Sequence, residues 1–262
     1  MNTNIDIYWF SGTGNTLYVA NKAAEYLERN GKKVSLFPME KMNPKEINLN
    51  HTIGIVVPVA AQGTFPNVWK FVDSLPITNN TGCFFIDTLR IYSGGIKGPI
   101  KKIIKDKGYF PIGAIEIKMP NTFGKRKENT IKEELILNNA NKKIEKYISN
   151  ILNSKASWRD IPIYSELMSR FYRTRKATSK WVKLYRKNIT NKCIECGICK
   201  NICPEKCYKD DEKFIDVNSD KCILCQRCLE YCPENAIQIN GKDFIKNNRI
   251  KYSEFQKYLQ QQ

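Results

Sequence analysis

Eight of the ten cysteines fall in two copies of one run, Cys193 to Pro204 and Cys222 to Pro233, each reading Cys-x-x-Cys-x-x-Cys-x-x-x-Cys-Pro. Three cysteines at that spacing wrap a tight loop around one face of an iron-sulfur cubane, giving three irons a thiolate and aiming loop N–H groups at the sulfides. The fourth iron lies beyond the reach of the same loop. In two-cluster proteins with this run, the Cys before Pro ligates the other cluster. Cys193, Cys196, Cys199 and Cys232 are therefore assigned to one [4Fe-4S] cluster, and Cys222, Cys225, Cys228 and Cys203 to a second. Structural zinc prefers two Cys-x-x-Cys pairs with a longer spacer, which does not fit. A disulfide framework needs an oxidising compartment, whereas Met1-Asn2-Thr3-Asn4-Ile5-Asp6 shows no basic, apolar or cleavage region of a signal peptide, so a cytoplasmic location is expected. Cys83, in Cys83-Phe84-Phe85-Ile86, reads as a buried core thiol, and Cys207 as an inert spare thiol near a cluster.

A second chemistry is written near the amino terminus. Ser11-Gly12-Thr13-Gly14-Asn15-Thr16 follows a short apolar run and precedes a helical pattern. A loop so placed gathers backbone N–H groups and a helix amino terminus around one point, a ready anion site. Ser11, Thr13, Asn15 and Thr16 add side-chain donors, while Gly12 and Gly14 permit close backbone approach. The loop lacks the Gly-Lys-Ser/Thr ending of a P-loop, and Leu17 stands where a dinucleotide fingerprint has its third glycine. A single terminal phosphomonoester fits it best.

The elements that must position these residues alternate. Strand-like runs cover 5–10, 33–37, 52–57, 82–86 and 112–118, with helical patterns over 16–29, 66–75, 96–107 and 130–150. Alternating strand and helix implies a parallel, doubly wound sheet, and Ile53-Gly54-Ile55-Val56-Val57 is the near-continuous apolar run of a strand covered on both faces.

With these residues the chain resembles the flavodoxin-ferredoxin fusion family, the ferrodoxin type, over about four-fifths of its length. The resemblance implies an α/β fold with a flavodoxin-like five-stranded sheet of order 2-1-3-4-5, a helical connector and a small α+β dicluster ferredoxin domain. The expected domains are 1–150, 151–190 for the connector, 191–241, and a tail at 242–262. It also implies FMN, its phosphate on the Ser11–Thr16 loop. Two further loops would enclose the isoalloxazine ring: Pro58, Val59, Ala60, Ala61, Gln62, Gly63, Thr64 and Phe65, then Asp87, Thr88, Leu89, Arg90, Ile91, Tyr92, Ser93, Gly94 and Gly95. Tyr92 or Phe65 would stack on the ring, and Gly63, Gly94 and Gly95 would let amides reach its edge. Ligands of doubly wound sheets bind beyond the carboxyl ends of the strands, which agrees. Residues 1–119 hold 14 Lys/Arg against 9 Asp/Glu, so the flavin hydroquinone couple is expected to be less negative than in an acidic flavodoxin, as a redox titration would show.

The net charge of +17 is concentrated in residues 120–192, at +12, while residues 193–241 carry −3. Cluster and phosphate charges bring the holoprotein to about +11. In the connector, Tyr164, Leu167, Met168, Phe171, Tyr172, Trp181, Val182 and Tyr185 recur at helical spacing among arginines and lysines. This stripe is expected to pack between the two redox modules; the alternatives are an acidic protein surface, an anionic membrane surface and nucleic acid, the last disfavoured for want of any recognition motif. The tail, with Ile250, Phe255, Tyr258 and Leu259, is expected to dock as a short helix. His51 is the only histidine, which argues against histidine acid-base chemistry, and no apolar stretch has the length that spans a bilayer.

The expected function is electron transfer between two [4Fe-4S] clusters and FMN, coupling one-electron and two-electron redox partners such as a ferredoxin, a flavodoxin or an oxidoreductase. A carrier is favoured over a substrate-specific enzyme. The alternatives are a flavin-dependent oxidoreductase that reduces a quinone or nitro compound with the clusters as inlet, and a redox-sensing or nucleic-acid-binding iron-sulfur protein. No nicotinamide fingerprint is visible.

Overall fold

The computed structural model describes residues 1–60, 63–91, 95–122, 130–159, 184–185, 187–208 and 221–260. Five parallel strands, β1 (Asn4–Trp9), β2 (Lys33–Pro38), β3 (Thr52–Pro58), β4 (Gly82–Leu89) and β5 (Phe110–Lys118), form one sheet in the order β2-β1-β3-β4-β5. The three inner strands are buried along nearly their whole length, which is why they read as continuous apolar runs; the edge strands β2 and β5 are only partly covered.

Helices cover both faces. On one, α1 (Asn15–Arg29) lays Leu17, Ala20, Ala24 and Leu27 against the sheet, beside α4 (Thr130–Leu152) with Ile144, Ile148 and Ile151. On the other, α2 (Pro66–Asp73) and α3 (Lys97–Asp106) bury Val68, Trp69, Val72, Ile100 and Ile104. Proline at the first position of α2 costs no hydrogen bond, because that N–H has no partner within the helix. Trp158, just past α4, returns to the sheet, stacks on Phe85 at 5.5 Å and donates its indole N–H to the Lys97 carbonyl. Residues 153–158 thus pack on the amino-terminal sheet. Of the expected amphipathic stripe, Tyr164 to Val182 lie outside the described residues and Tyr185 lies within them.

The cysteine-rich part is a small duplicated unit. Antiparallel strands β6 (Lys187–Ile189) and β7 (Ile237–Ile239) pair at Asn188 and Gln238, and a short helix follows each cysteine loop, α5 (Ile198–Asn201) and α6 (Arg227–Tyr231). The last helix, α7 (Tyr252–Gln260), docks on the α1 side of the sheet: Phe255 and Tyr258 both meet the Trp9 ring edge-on at 5.8 Å, and the Tyr258 hydroxyl donates to Asn21. The tail is therefore part of the core that joins the two units.

Candidate functional site

Beyond the carboxyl ends of β1, β3, β4 and β5 lies a cavity of about 460 Å³. Gly12, Thr13, Asn15, Thr16, Pro58, Val59, Ala60, Thr64, Phe65, Thr88, Leu89 and Arg90, all expected from the sequence, line it. Its polar end is the start of α1. Gly14 holds φ +86 there, a left-handed conformation that favours glycine, and the helix has no side-chain cap, so its first N–H groups are left for another acceptor. The Gly14 N–H donates to Ser11 Oγ at 3.1 Å, so Ser11 shapes the loop rather than lining the cavity. Thr16 and Thr88 share a hydroxyl hydrogen bond of 2.7 Å that ties the phosphate-type loop to the end of β4. Asn15 donates Nδ2–H to the Pro120 carbonyl, while its Oδ1 is buried with no protein partner among the described residues. That oxygen is an acceptor which a hydroxyl or N–H of a ligand would satisfy.

Not every expected residue reaches the cavity. Gly63 closes a tight turn with Ala60 through two backbone hydrogen bonds of 2.9 Å, so its amide is already engaged. Gly95 is buried away from the lining. Ala61, Gln62, Tyr92, Ser93 and Gly94 lie outside the described residues. Phe65 does line the cavity, set edge-on against Phe10 at 5.3 Å. The sequence reading missed two walls. Met119, Pro120, Asn121 and Thr122 stand at the end of β5, where the rule for doubly wound sheets could have placed them. Tyr185, Ile223, Leu224, Cys225 and Gln226 come from the cysteine-rich side, and no local signal points to them.

The two cysteine loops each wrap a small hollow. Cys193, Cys196, Cys199 and Cys232 line one, with Ile194, Glu195, Gly197 and Glu234; Cys222, Cys225, Cys228 and Cys203 line the other, with Cys207, Lys187 and Arg227. The two crossed sets of four are thus each brought together in space. The backbone repeats with the sequence. Left-handed residues occur at Glu195 and Gly197 in the first loop and at Leu224 and Gln226 in the second, a geometry that turns successive N–H groups inward as an anion nest. Equivalent amides, of Cys207 and Ala236, donate to the sulfurs of Cys203 and Cys232 at 3.3 and 3.2 Å. Among the described residues no three His, Cys, Asp or Glu side chains converge on one ion-sized point; a cubane instead asks each thiolate to reach its own iron.

Electrostatics single out the second hollow. The Lys187 ammonium donates to Cys222 Sγ at 3.2 Å. Burial works to lower the Lys187 pKa, but the thiols of Cys228, Cys222 and Cys225 outweigh it and push it up. Hydrogen bonding with Cys207 moves the pKa values of Cys203 and Cys222 down, and Lys187 adds to the effect. Cys225 is pushed up to about 12 by burial. Cys83, fully buried in β4, is raised by desolvation and touches no cavity, as a core thiol should.

The second hollow and the large cavity share Ile223 and Cys225 as a common wall. Contact there is close: a Cβ placed on Gly12 would lie 1.9 Å from the Cys225 carbonyl oxygen. Arg227, 1 % exposed, holds the junction. It donates to the Ser11 carbonyl through Nε and a terminal nitrogen at 3.1 and 2.8 Å, to Glu40 at 2.6 Å and to the Ile202 carbonyl at 3.1 Å. Its guanidinium carbon stands 5.1 Å from the Phe10 ring and 4.8 Å from Phe255. Asn247 adds a second tie, donating to the Thr13 carbonyl at 2.6 Å while its backbone N–H is held by Glu230.

Residues 215–238 match the family model described as a 4Fe-4S binding domain. The strand order β2-β1-β3-β4-β5 is that of flavodoxin-like doubly wound sheets, and the matched segment places a 4Fe-4S-type binding region after that sheet in the chain. The matched segment contains the second cysteine run, Cys222 to Cys232. No curated protein matches the sequence. Among solved structures, a flavodoxin from the domain Archaea aligns over 57 % of this chain and 99 % of its own, at 13 % identity and TM-score 0.41. A short-chain flavodoxin associated with a non-canonical PDU bacterial microcompartment covers 58 % and 99 % at 11 % identity and TM-score 0.45. The two-electron reduced flavodoxin of Megasphaera elsdenii covers 53 % and 98 % at 22 % identity and TM-score 0.38. No helix among the described residues is long and apolar enough to cross a membrane.

Proposed function

We propose that this protein is an intramolecular electron relay in which two [4Fe-4S] clusters and an FMN exchange electrons, coupling one-electron to two-electron redox partners. The observation that carries the reading is the shared wall: Ile223 and Cys225 line both the hollow of one cysteine set and the cavity of the flavodoxin-like domain. The residues fit the groups. A volume of about 460 Å³ falls within the roughly 300–1,000 Å³ of small-molecule sites. The uncapped start of α1 suits a phosphate, the Asn15 Oδ1 suits a hydroxyl or N–H donor, and the apolar walls of Pro58, Val59, Leu89 and Ile223 suit a flat ring. When bound, FMN supplies storage for one or two electrons and the clusters supply one-electron steps.

The chain's own residues do the positioning. Arg227 and Asn247 fasten the phosphate-type loop to the ferredoxin domain, so the distance between centres is fixed by packing rather than by encounter. Ile223, 4 % exposed, is the apolar side chain that stands between the second hollow and the cavity. Anaerobic purification with iron and flavin quantification tests the composition: about eight irons and one FMN per chain are expected. Stopped-flow reduction then tests the relay, because flavin reduction through the clusters should proceed at a rate independent of protein concentration. A rate that rises in proportion to concentration would mean electrons cross between molecules and would sink the reading.

A further inference from the structure

We propose that the two clusters are unequal by construction and that Lys187 makes them so. The inner cluster, at Cys222, Cys225, Cys228 and Cys203 beside the flavin cavity, takes an electron more readily than the outer one at Cys193, Cys196, Cys199 and Cys232. With that ordering, an electron entering at the outer cluster would run downhill to the inner one, beside the flavin cavity. This wiring rests on the relay reading above.

Reduction of a cubane adds one negative charge to a group already negative, so a nearby desolvated cation stabilises the reduced form and raises the potential. Lys187, half-buried with its ammonium 3.2 Å from Cys222 Sγ, is the cation that comes nearest to that description. Arg227 also faces the inner hollow, but Glu40 at 2.6 Å neutralises most of its charge. Glu205, partly exposed, is the acid in that lining.

The outer hollow differs in each respect. Its charged lining residues are Glu195 and Glu234, both exposed. Lys246 donates to the backbone carbonyls of Cys232 and Pro233, and no lysine is among the described residues that line this hollow. The duplication does not repeat the cation: six residues before the first cysteine of each run the sequence has Lys187 in one copy and Asp216 in the other. Position agrees with charge, since Cys196 is exposed and Ile194 beside it is 62 % exposed, whereas Cys222 and Cys228 are buried. The outer cluster faces solvent, where a partner protein can reach it, and the inner one faces the flavin.

Potentiometric titration of the anaerobic holoprotein, followed by electron paramagnetic resonance, tests this. Two separate cluster midpoints are expected in the wild type. Lys187→Met should move the higher one to more negative potential and leave the lower one in place, and Lys187→Arg should keep them apart. Cys196→Ser should alter the spectrum of the lower-potential cluster. A single wild-type midpoint, a Lys187→Met shift in the lower cluster or in neither, or a Cys196→Ser change in the higher one would each overturn the proposal. Should Lys187→Met not assemble its clusters, the wild-type midpoints, Lys187→Arg and Cys196→Ser decide. Iron and flavin are measured first. A wild-type chain well short of about eight irons fails the relay reading, whereas a full complement with a single midpoint fails the wiring alone.

Discussion

Arg227 stands between two cysteines of one loop and is 1 % exposed, and a guanidinium so far from water is tolerated only when its N–H groups are used. Here they are spent on Glu40 and on two carbonyls, one in each domain. Arg227→Met keeps much of the packing between Phe10 and Phe255 but strands the Glu40 carboxylate, so a loss of about 3–5 kcal/mol is expected. Chemical denaturation of the anaerobic protein measures it, and Glu40→Gln in the same chain should recover part of the loss. A midpoint unchanged by Arg227→Met would mean that the guanidinium does not hold the junction. Gly12 works by what it lacks. In Gly12→Ala the new methyl carbon collides with the Cys225 carbonyl, and the backbone must part by overpacking worth about 1–3 kcal/mol. Because the displaced loop is the one that would hold the phosphate, FMN affinity should fall about tenfold or more, a factor that corresponds to roughly 1.4 kcal/mol. Fluorescence titration with FMN reads it directly.

At the scale of elements, the sheet was legible because each strand announces its own burial. β3 and β4 each carry a near-continuous apolar run, 53–57 and 83–86, that is buried throughout, and α1 places Leu17, Ala20, Ala24 and Leu27 on one face. The glycine loop and the cysteine runs were legible because their chemistry is local: spacing alone brings the ligating groups of one loop together. The shared wall was not, since Ile223 and Leu224 look like filler between cysteines until the ferredoxin domain docks. Nor does the spacing distinguish Arg227 from any surface cation. The tail was half legible. Phe255 and Leu259 mark an apolar face, but only the fold shows that this face seals the junction, with Phe255 set against Trp9, Tyr231 and Arg227. Phe255 is fully buried, so Phe255→Ala should cost about 3–5 kcal/mol. The cost should appear as a lower thermal midpoint and as faster loss of flavin, because α7 supports the same loop contacts. A variant that lost stability yet kept its flavin as tightly as the wild type would separate α7 from the site.

At the scale of the molecule, the two domains must sense one another. The ferredoxin core is made largely of its own cysteines, Cys199, Cys207, Cys222 and Cys228, with Tyr208, Leu229 and Ile237, too little apolar surface to hold a fold without the metal. Its loop is also a wall of the cavity beyond the strand ends, where FMN is proposed to bind. Stripping the iron with a chelator should therefore release Ile223 to Gln226 from the cavity and weaken FMN binding, while the five-stranded sheet, most of whose core comes from its own strands and helices, keeps its circular dichroism. The coupling between two such sites is about 1–3 kcal/mol, or roughly 5–150-fold in affinity. Linkage makes the effect reciprocal: saturating FMN should raise the chelator concentration needed to remove half the iron by the same factor. Equal FMN affinity with and without iron would show that the wall stands by itself, and the close contact of Gly12 with Cys225 would then serve proximity alone.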